Sequence, residues 1–258
     1  MFLLEKDFIK KPYPHMVVHN VLDLSFAKKC QDEILNIDEK EWDRYDNPFE
    51  GKYTLRNKNN LPNNCQKLFN FLISDLFVNH LSKKCGEQLY NDPNKNWWGI
   101  HKYKNSDHLD IHSDAGIHPL TGQKKHVTLG IYLSKDWKDE NGGHLEIWDG
   151  DSVIHDKPVL YKCHQKILPK CNTLILFQNT VNAWHGNPVP VKCSENETRI
   201  FLTLSYLSNK YDEGFENKKQ KAYFIKCPND PVDEEKDKLR LLRCDPIKYK
   251  EIYRINKK

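Results

Sequence analysis

The stretch 199-RIFLTLSYL-207 decides the fold. Successive side chains of an extended strand point to opposite faces, so Ile200, Leu202, Leu204 and Tyr206 share one face while Arg199, Phe201, Thr203 and Ser205 share the other. The first face is that of a core strand. The second opens with a lone arginine, and an unpaired charge at the head of a buried strand is too costly to leave unmatched. Arg199 therefore calls for an anionic partner, and a carboxylate meets a guanidinium through a bidentate fork.

Outward from this strand the same period of two recurs in 98-WGIHKY-103, 126-HVTLGIYL-133, 144-HLEIW-148, 159-VLYKC-163 and 173-TLILF-177. These runs are β-branched and aromatic, and Gly122, the Asn141-Gly142-Gly143 triplet, Asp149-Gly150 and Pro169 punctuate them. Short strands at this spacing predict a sandwich or barrel. The first ninety residues read differently. After a short strand within 13-YPHMVVHNV-21, Asp23 caps a helix in which Phe26, Cys30, Ile34 and Ile37 recur at helical spacing. A second stripe, Cys65, Leu68, Phe69, Leu72 and Leu76, begins after Pro62, and Lys83, Lys84 and Gly86 supply a helix stop. Residues 38–60 are polar and turn-rich. Beyond 210 the chain is highly charged, with 222-AYFIK-226 and 238-KLRLLRCDPIKYKEIYRI-255 expected as a covering strand and helix. The expectation is one mainly β, α+β domain over 1–258: a helical support region (1–96), a barrel core (97–208) and a charged covering segment (209–258).

The 258 residues carry 40 basic and 36 acidic side chains, a net charge of +4 that is mixed along the chain rather than clustered. That balance argues against dedicated nucleic-acid binding. No run approaches the ~20 apolar residues of a membrane span, and the apolar burst at the N-terminus stops at Glu5, so a soluble cytoplasmic protein is expected. Eight cysteines lack the spacing of a zinc site and are expected as reduced thiols; of these Cys163, Cys171 and Cys193 fall near the candidate site in sequence.

The chemistry concentrates in 107-DHLDIHSDAGIH-118, which holds two overlapping His-x-Asp pairs, His108/Asp110 and His112/Asp114. On an unbroken strand all four would share a face, and the span of about 13 Å forbids one ion from using both pairs. The second pair lies where the strand runs out into Ala115-Gly116, as suits the mouth of a barrel. A facial triad of two histidines and one carboxylate needs a distant histidine. His185 in 173-TLILFQNTVNAWHGNPV-189 is suited to that role.

His-x-Asp, a distant His and then an Arg ten to fifteen residues later resemble the Fe(II)/2-oxoglutarate-dependent dioxygenases, and more narrowly their prolyl 4-hydroxylase-like branch. The segments 12-PYPHMVVHNVL-22, 102-KYKNSDHLDIHSD-114, 131-IYLSKDWKDENGGHLEIWD-149, 184-WHGNPVPV-191 and 198-TRIFLTLSYL-207 extend the resemblance over roughly residues 10–210. It implies a double-stranded β-helix, a jelly-roll or cupin-like barrel, with N-terminal helices packed on one sheet. It implies His112, Asp114 and His185 as iron ligands and Arg199 as the partner of the distal carboxylate of 2-oxoglutarate. Tyr132 would add a hydroxyl hydrogen bond and Leu109 would line the pocket. The leucine three before His112 also favours the second His-x-Asp pair, because Asn105 stands three before His108.

The implied reaction consumes O2 and 2-oxoglutarate, releases succinate and CO2, and hydroxylates a substrate, with ascorbate as an expected stimulant. The expected substrate is a prolyl residue in a protein or peptide, or alternatively a small molecule such as a free amino acid or sugar-linked metabolite. A third reading, a binding module without oxidation chemistry, draws on Phe201, which stands where many relatives carry a serine that helps bind the carboxylate. Thr203 or Thr128 is the candidate replacement. Trp97-Trp98 replaces a glycine-rich run of close relatives and is expected to reshape the entrance. His101, His126, His144, His155 and His164 are expected as ordinary histidines, and Trp137, Trp148 and Trp184 as core or pocket walls. A loop across 38–60 or 115–125 would cover a peptide or seal a small pocket.

Overall fold

The computed structural model describes residues 4–114, 116–155, 157–211, 222–245 and 247–252. In chain order the elements are β1 (His15–His19), α1 (Leu24–Leu35), β2 (Trp42–Asn47), β3 (Glu50–Leu55), α2 (Asn63–Leu72), α3 (Asp75–Cys85), β4 (Tyr90–Asn91), β5 (Gly99–Tyr103), β6 (Leu109–Ser113), β7 (Lys124–Tyr132), β8 (Leu145–Gly150), β9 (Leu160–Ile167), β10 (Thr173–Gln178), β11 (Trp184–Asn187), β12 (Arg199–Ser208), β13 (Tyr223–Phe224) and α4 (Glu234–Cys244).

Every strand pairing is antiparallel, and the hydrogen-bonded order is β1-β10-β7-β12-β5-β3-β6-β11-β8-β9. Strand β3 joins the two layers, pairing Tyr53 with Lys102 of β5 and Glu50 with Leu109 of β6. The result is the curled jelly roll, a double-stranded β-helix, expected from the resemblance.

β12 shows how alternation builds it. Ile200, Leu202, Leu204 and Tyr206 are fully buried in one core with Ala27, Cys30, Leu68, Phe69 and Phe77 of the helices. The helices thus cover the outer face of the larger layer. Their ends follow the sequence: Asp23 accepts from the Phe26 amide, Ser74 accepts from the Phe77 amide, and Gly86 takes the left-handed conformation (φ 67°) that a side chain would disfavour. Leu76 is a correction, being 64 % exposed. The Ser74 cap starts a new helix there and resets the phase of the stripe.

The polar region 38–60 is also not simply a loop. Trp42–Asn47 and Glu50–Leu55 form a hairpin closed at Pro48-Phe49. Phe49 is fully buried and stacks on Phe224 at 5.1 Å, so the hairpin tip is anchored in an apolar cluster. The charged C-terminal segment behaves as a cover: β13 pairs with β6, and α4 sends Lys236 to the Asp110 carboxylate at 2.8 Å. The end of the patterned piece 238–255 lies outside the described residues, as does Ala115. No helix among the described residues is long and apolar enough to cross a membrane.

Candidate active site

Strands β6 and β11 run antiparallel and set His112 directly opposite His185, with ring centroids 4.5 Å apart. One donor atom from each of His112, Asp114 and His185 lies within 4.8 Å of the others. Each histidine directs Nδ1 to a backbone carbonyl two residues earlier, His112 to Asp110 and His185 to Ala183, both at 2.9 Å. Donation from Nδ1 leaves Nε2 as a bare lone pair, the form that binds a metal. Both Nε2 atoms face Asp114, at 3.5 Å from Oδ1 for His112 and 3.9 Å from Oδ2 for His185. Burial, then the neighbouring His112, pushes His185 down to about 3, so it stays neutral. Burial would raise Asp114, but the charge of Lys125 wins and holds the carboxyl well below its ordinary range. Lys125 Nζ lies 2.7 Å from Asp114 Oδ2.

The rejected His-x-Asp pair sits elsewhere for a reason the sequence does not show. His112 pairs with His185 but Leu109 pairs with Asn187, three steps on β6 against two on β11. That extra residue is a bulge. It brings Leu109 and His112 into the same cavity, whereas His108, Asp110, Lys236 and Arg240 form a charged cluster beneath α4. The unbroken strand with all four residues on one face is therefore corrected.

A cavity of about 490 Å³ contains the triad together with Leu109, Tyr132, Arg199 and Thr203. Arg199 is 2 % exposed. Its Nε donates to the Gly143 carbonyl at 2.8 Å and its Nη2 to the Tyr132 hydroxyl at 3.3 Å, while Nη1 is buried with no hydrogen-bond partner. A buried donor left open beside a cavity is the mark of a missing acceptor. Burial pushes the Tyr132 phenol up to about 12, so it keeps its proton for donation. The guanidinium also lies 4.5 Å over the ring of Tyr103, the tyrosine that leads into the His-x-Asp segment, which walls the same cavity.

The two candidate threonine hydroxyls are committed elsewhere. Thr203 donates to the Leu129 carbonyl at 2.9 Å. Thr128 contacts Asp114 Oδ2 at 3.3 Å and accepts from Asn179 at 3.0 Å. Trp97 and Trp98 line the cavity, whereas Trp137, Trp148, Trp184, Cys163, Cys171 and Cys193 do not. Trp184 is a fully buried core residue, its indole donating to the Asp151 carbonyl at 2.7 Å. His101, grouped by sequence with the ordinary histidines, belongs to the cavity wall, as do Tyr45, Lys52 and Thr54 of the unforeseen hairpin.

Comparison with known proteins places this geometry. Residues 98–207 match the family model of the 2OG-Fe(II) oxygenase superfamily, so the resemblance holds across the barrel that carries the triad. No curated protein sequence matches the chain. Among solved structures, a prolyl-4-hydroxylase of Pseudomonas putida superposes with a TM-score of 0.55 at 14 % identity, covering 76 % of this chain and 93 % of that one. A prolyl hydroxylase of Trichoplax adhaerens, solved with a hypoxia inducible factor peptide fragment, gives 0.50 at 18 % identity, covering 75 % and 83 %. The carbocyclase SnoK from nogalamycin biosynthesis gives 0.51 at 12 % identity, covering 85 % and 88 %. At such identities these likenesses establish the shared jelly-roll fold.

Proposed function

We propose that this chain is a single-domain, cytoplasmic Fe(II)- and 2-oxoglutarate-dependent dioxygenase that hydroxylates a prolyl residue in a protein or peptide. One observation carries the reading: a single cavity holds both a His, carboxylate, His donor set and a buried arginine whose Nη1 has no partner. Both halves fit the groups the reading requires. Two imidazoles and one carboxylate suit Fe(II) with open positions, and the open fork of Arg199 suits a carboxylate. When bound, Fe(II) would supply the oxidation in which 2-oxoglutarate and O2 yield succinate and CO2 and the second oxygen atom enters a substrate C–H bond.

The protein's own part is placement. His112, Asp114 and His185 would hold the metal, their Nδ1 contacts fixing each ring. Arg199 and the Tyr132 hydroxyl would hold the distal carboxylate, and Leu109 would wall the cosubstrate. Thr203 lines the same space without a spare proton. Lys125 keeps Asp114 ionised.

The peptide reading draws on the hairpin. The cavity wall runs from the buried triad to exposed Tyr45 and Arg56, so an extended ligand can enter from solvent. The small-molecule alternative draws on the volume, which lies within the usual range for small-ligand sites, about 300–1,000 Å³. Succinate formation from 2-oxoglutarate, with Fe(II) and ascorbate, separates them. Stimulation by prolyl-containing peptides supports the first reading, and stimulation by free amino acids or sugar-linked metabolites alone replaces it with the second. A chain that binds neither metal nor 2-oxoglutarate is not an oxygenase of this kind.

A further inference from the structure

We infer that His101 is a binding residue for the dicarboxylic 2-oxo acid, its imidazole donating to the distal carboxylate in place of the hydroxyl that β12 lacks at Phe201. The inference rests on the 2-oxoglutarate reading above and adds to it a residue that the motif does not contain.

The register sets the arrangement. On the inner face, Phe201 pairs with Tyr132 on one side and His101 on the other, and the adjacent same-face pair on β12 and β5 is Arg199 with Tyr103. In the opposite direction the next row is Gly130, Thr203 and Gly99. The rings of Phe201 and His101 both fold onto that glycine row. A Cβ on Gly130 would overlap the Phe201 ring, and a Cβ on Gly99 would sit 2.6 Å from Nε2 of His101. Both glycines are thus close-approach positions. Because the rings lean away from Arg199, Phe201 does not fill the carboxylate site that its position in the motif would suggest.

The orientation of the imidazole completes the case. Its edge against Gly99 consists of Nε2, Cε1 and Cδ2. Nδ1, which is not among them, is buried and without a hydrogen-bond partner. A buried, unmatched ring nitrogen is destabilising unless a ligand completes it. His101 and Arg199 are diagonal neighbours on paired strands, roughly 7–8 Å apart at the backbone, a gap that a carboxylate between two donors bridges. Burial, then the charges of Lys52 and Lys58, pushes His101 well below its ordinary range, so the ring is neutral and offers one proton.

The test is calorimetric binding of 2-oxoglutarate and of pyruvate, a 2-oxo acid without the distal carboxylate, to the chain loaded with redox-inert Mn(II). His101→Phe is expected to weaken 2-oxoglutarate about tenfold, the size of one charge-assisted hydrogen bond, and to leave pyruvate within about twofold. His101→Asn, which keeps a donor, retains most of the affinity, and Phe201→Ser added to His101→Phe restores it. Mn(II) binding checks the fold of each variant, and His101→Val carries the same comparison if the phenylalanine is not tolerated. Unchanged 2-oxoglutarate affinity in the variants, or equal losses for both acids, overturns the role of His101 alone. A native chain that binds no 2-oxoglutarate overturns the function proposed above, and this role with it.

Discussion

Phe201 lies so close against Gly130 on the neighbouring strand that the glycine could carry no side chain without moving the ring. The pair explains how a bulky residue occupies a position from which a hydroxyl would otherwise serve the cosubstrate. Gly130→Ala should therefore push the Phe201 ring into the cavity and weaken 2-oxoglutarate binding, with an overpacking cost of about 1–3 kcal/mol in stability. Phe201→Ala should cancel most of that loss in the double variant. Additive effects in thermal unfolding and in ligand titration would show that the two residues do not act as a unit.

Arg199 has three donor nitrogens and partners for two of them. Arg199→Met should reduce 2-oxoglutarate affinity on the order of 100-fold, as expected for losing a bidentate charged contact worth about 3 kcal/mol, while Mn(II) affinity is preserved. Retained 2-oxoglutarate affinity by calorimetry would remove Arg199 from the cosubstrate site.

The Lys125–Asp114 ion pair, with side chains 9 % and 17 % exposed, supplies the cation that Asp114 faces in the metal-free chain. Lys125→Met should destabilise the metal-free chain by about 3–5 kcal/mol, because a buried carboxylate loses its partner. A divalent ion restores a positive neighbour, so added Mn(II) should raise the melting temperature of the variant more than that of the native chain. Equal shifts would count against direct compensation.

The acid limb of stability follows from groups held away from their ordinary ionisation. His185, at about 3, and His101, well lowered, take up protons in the unfolded chain first, so their contribution is present above about pH 6.5 and declines as pH falls below it. Burial would raise Glu50, but the Lys52 ion pair and the charge of Arg243 hold it near 2, so its contribution is lost as pH falls below about 4.3. Thermal unfolding of the metal-free chain should show a decline beginning near pH 6.5 and steepening below 4.5. His101→Phe should shallow the first part and Glu50→Gln the second; a profile that is flat from pH 7 to 4 contradicts both assignments.

The sequence disclosed most of this where one face of an element is apolar. The two sides of β12, the caps at Asp23 and Gly86, and the trio His112, Asp114 and His185 are all legible as pattern or motif. The hairpin Trp42–Asn47 and Glu50–Leu55 was not, because its buried apolar residues sit only at its ends, Trp42 and Leu55 against the core and Phe49 at the tip, and the mostly polar residues between them carry no apolar alternation. The bulge between Leu109 and His112 leaves no residue signature, so the strand alone could not separate His108 from His112. His101 reads as one more histidine until β5 is seen beside β12. The nearest signal was Gly99 two residues before it, a strand glycine that marks a close approach.

Calorimetric titration of Fe(II) under anaerobic conditions in the presence of 2-oxoglutarate, comparing the native chain with His112→Ala and His108→Ala, tests the central claim most directly. One ion per native chain is predicted, with binding lost in His112→Ala and unchanged in His108→Ala. Loss in His108→Ala with retention in His112→Ala, or no binding by the native chain, would contradict the account.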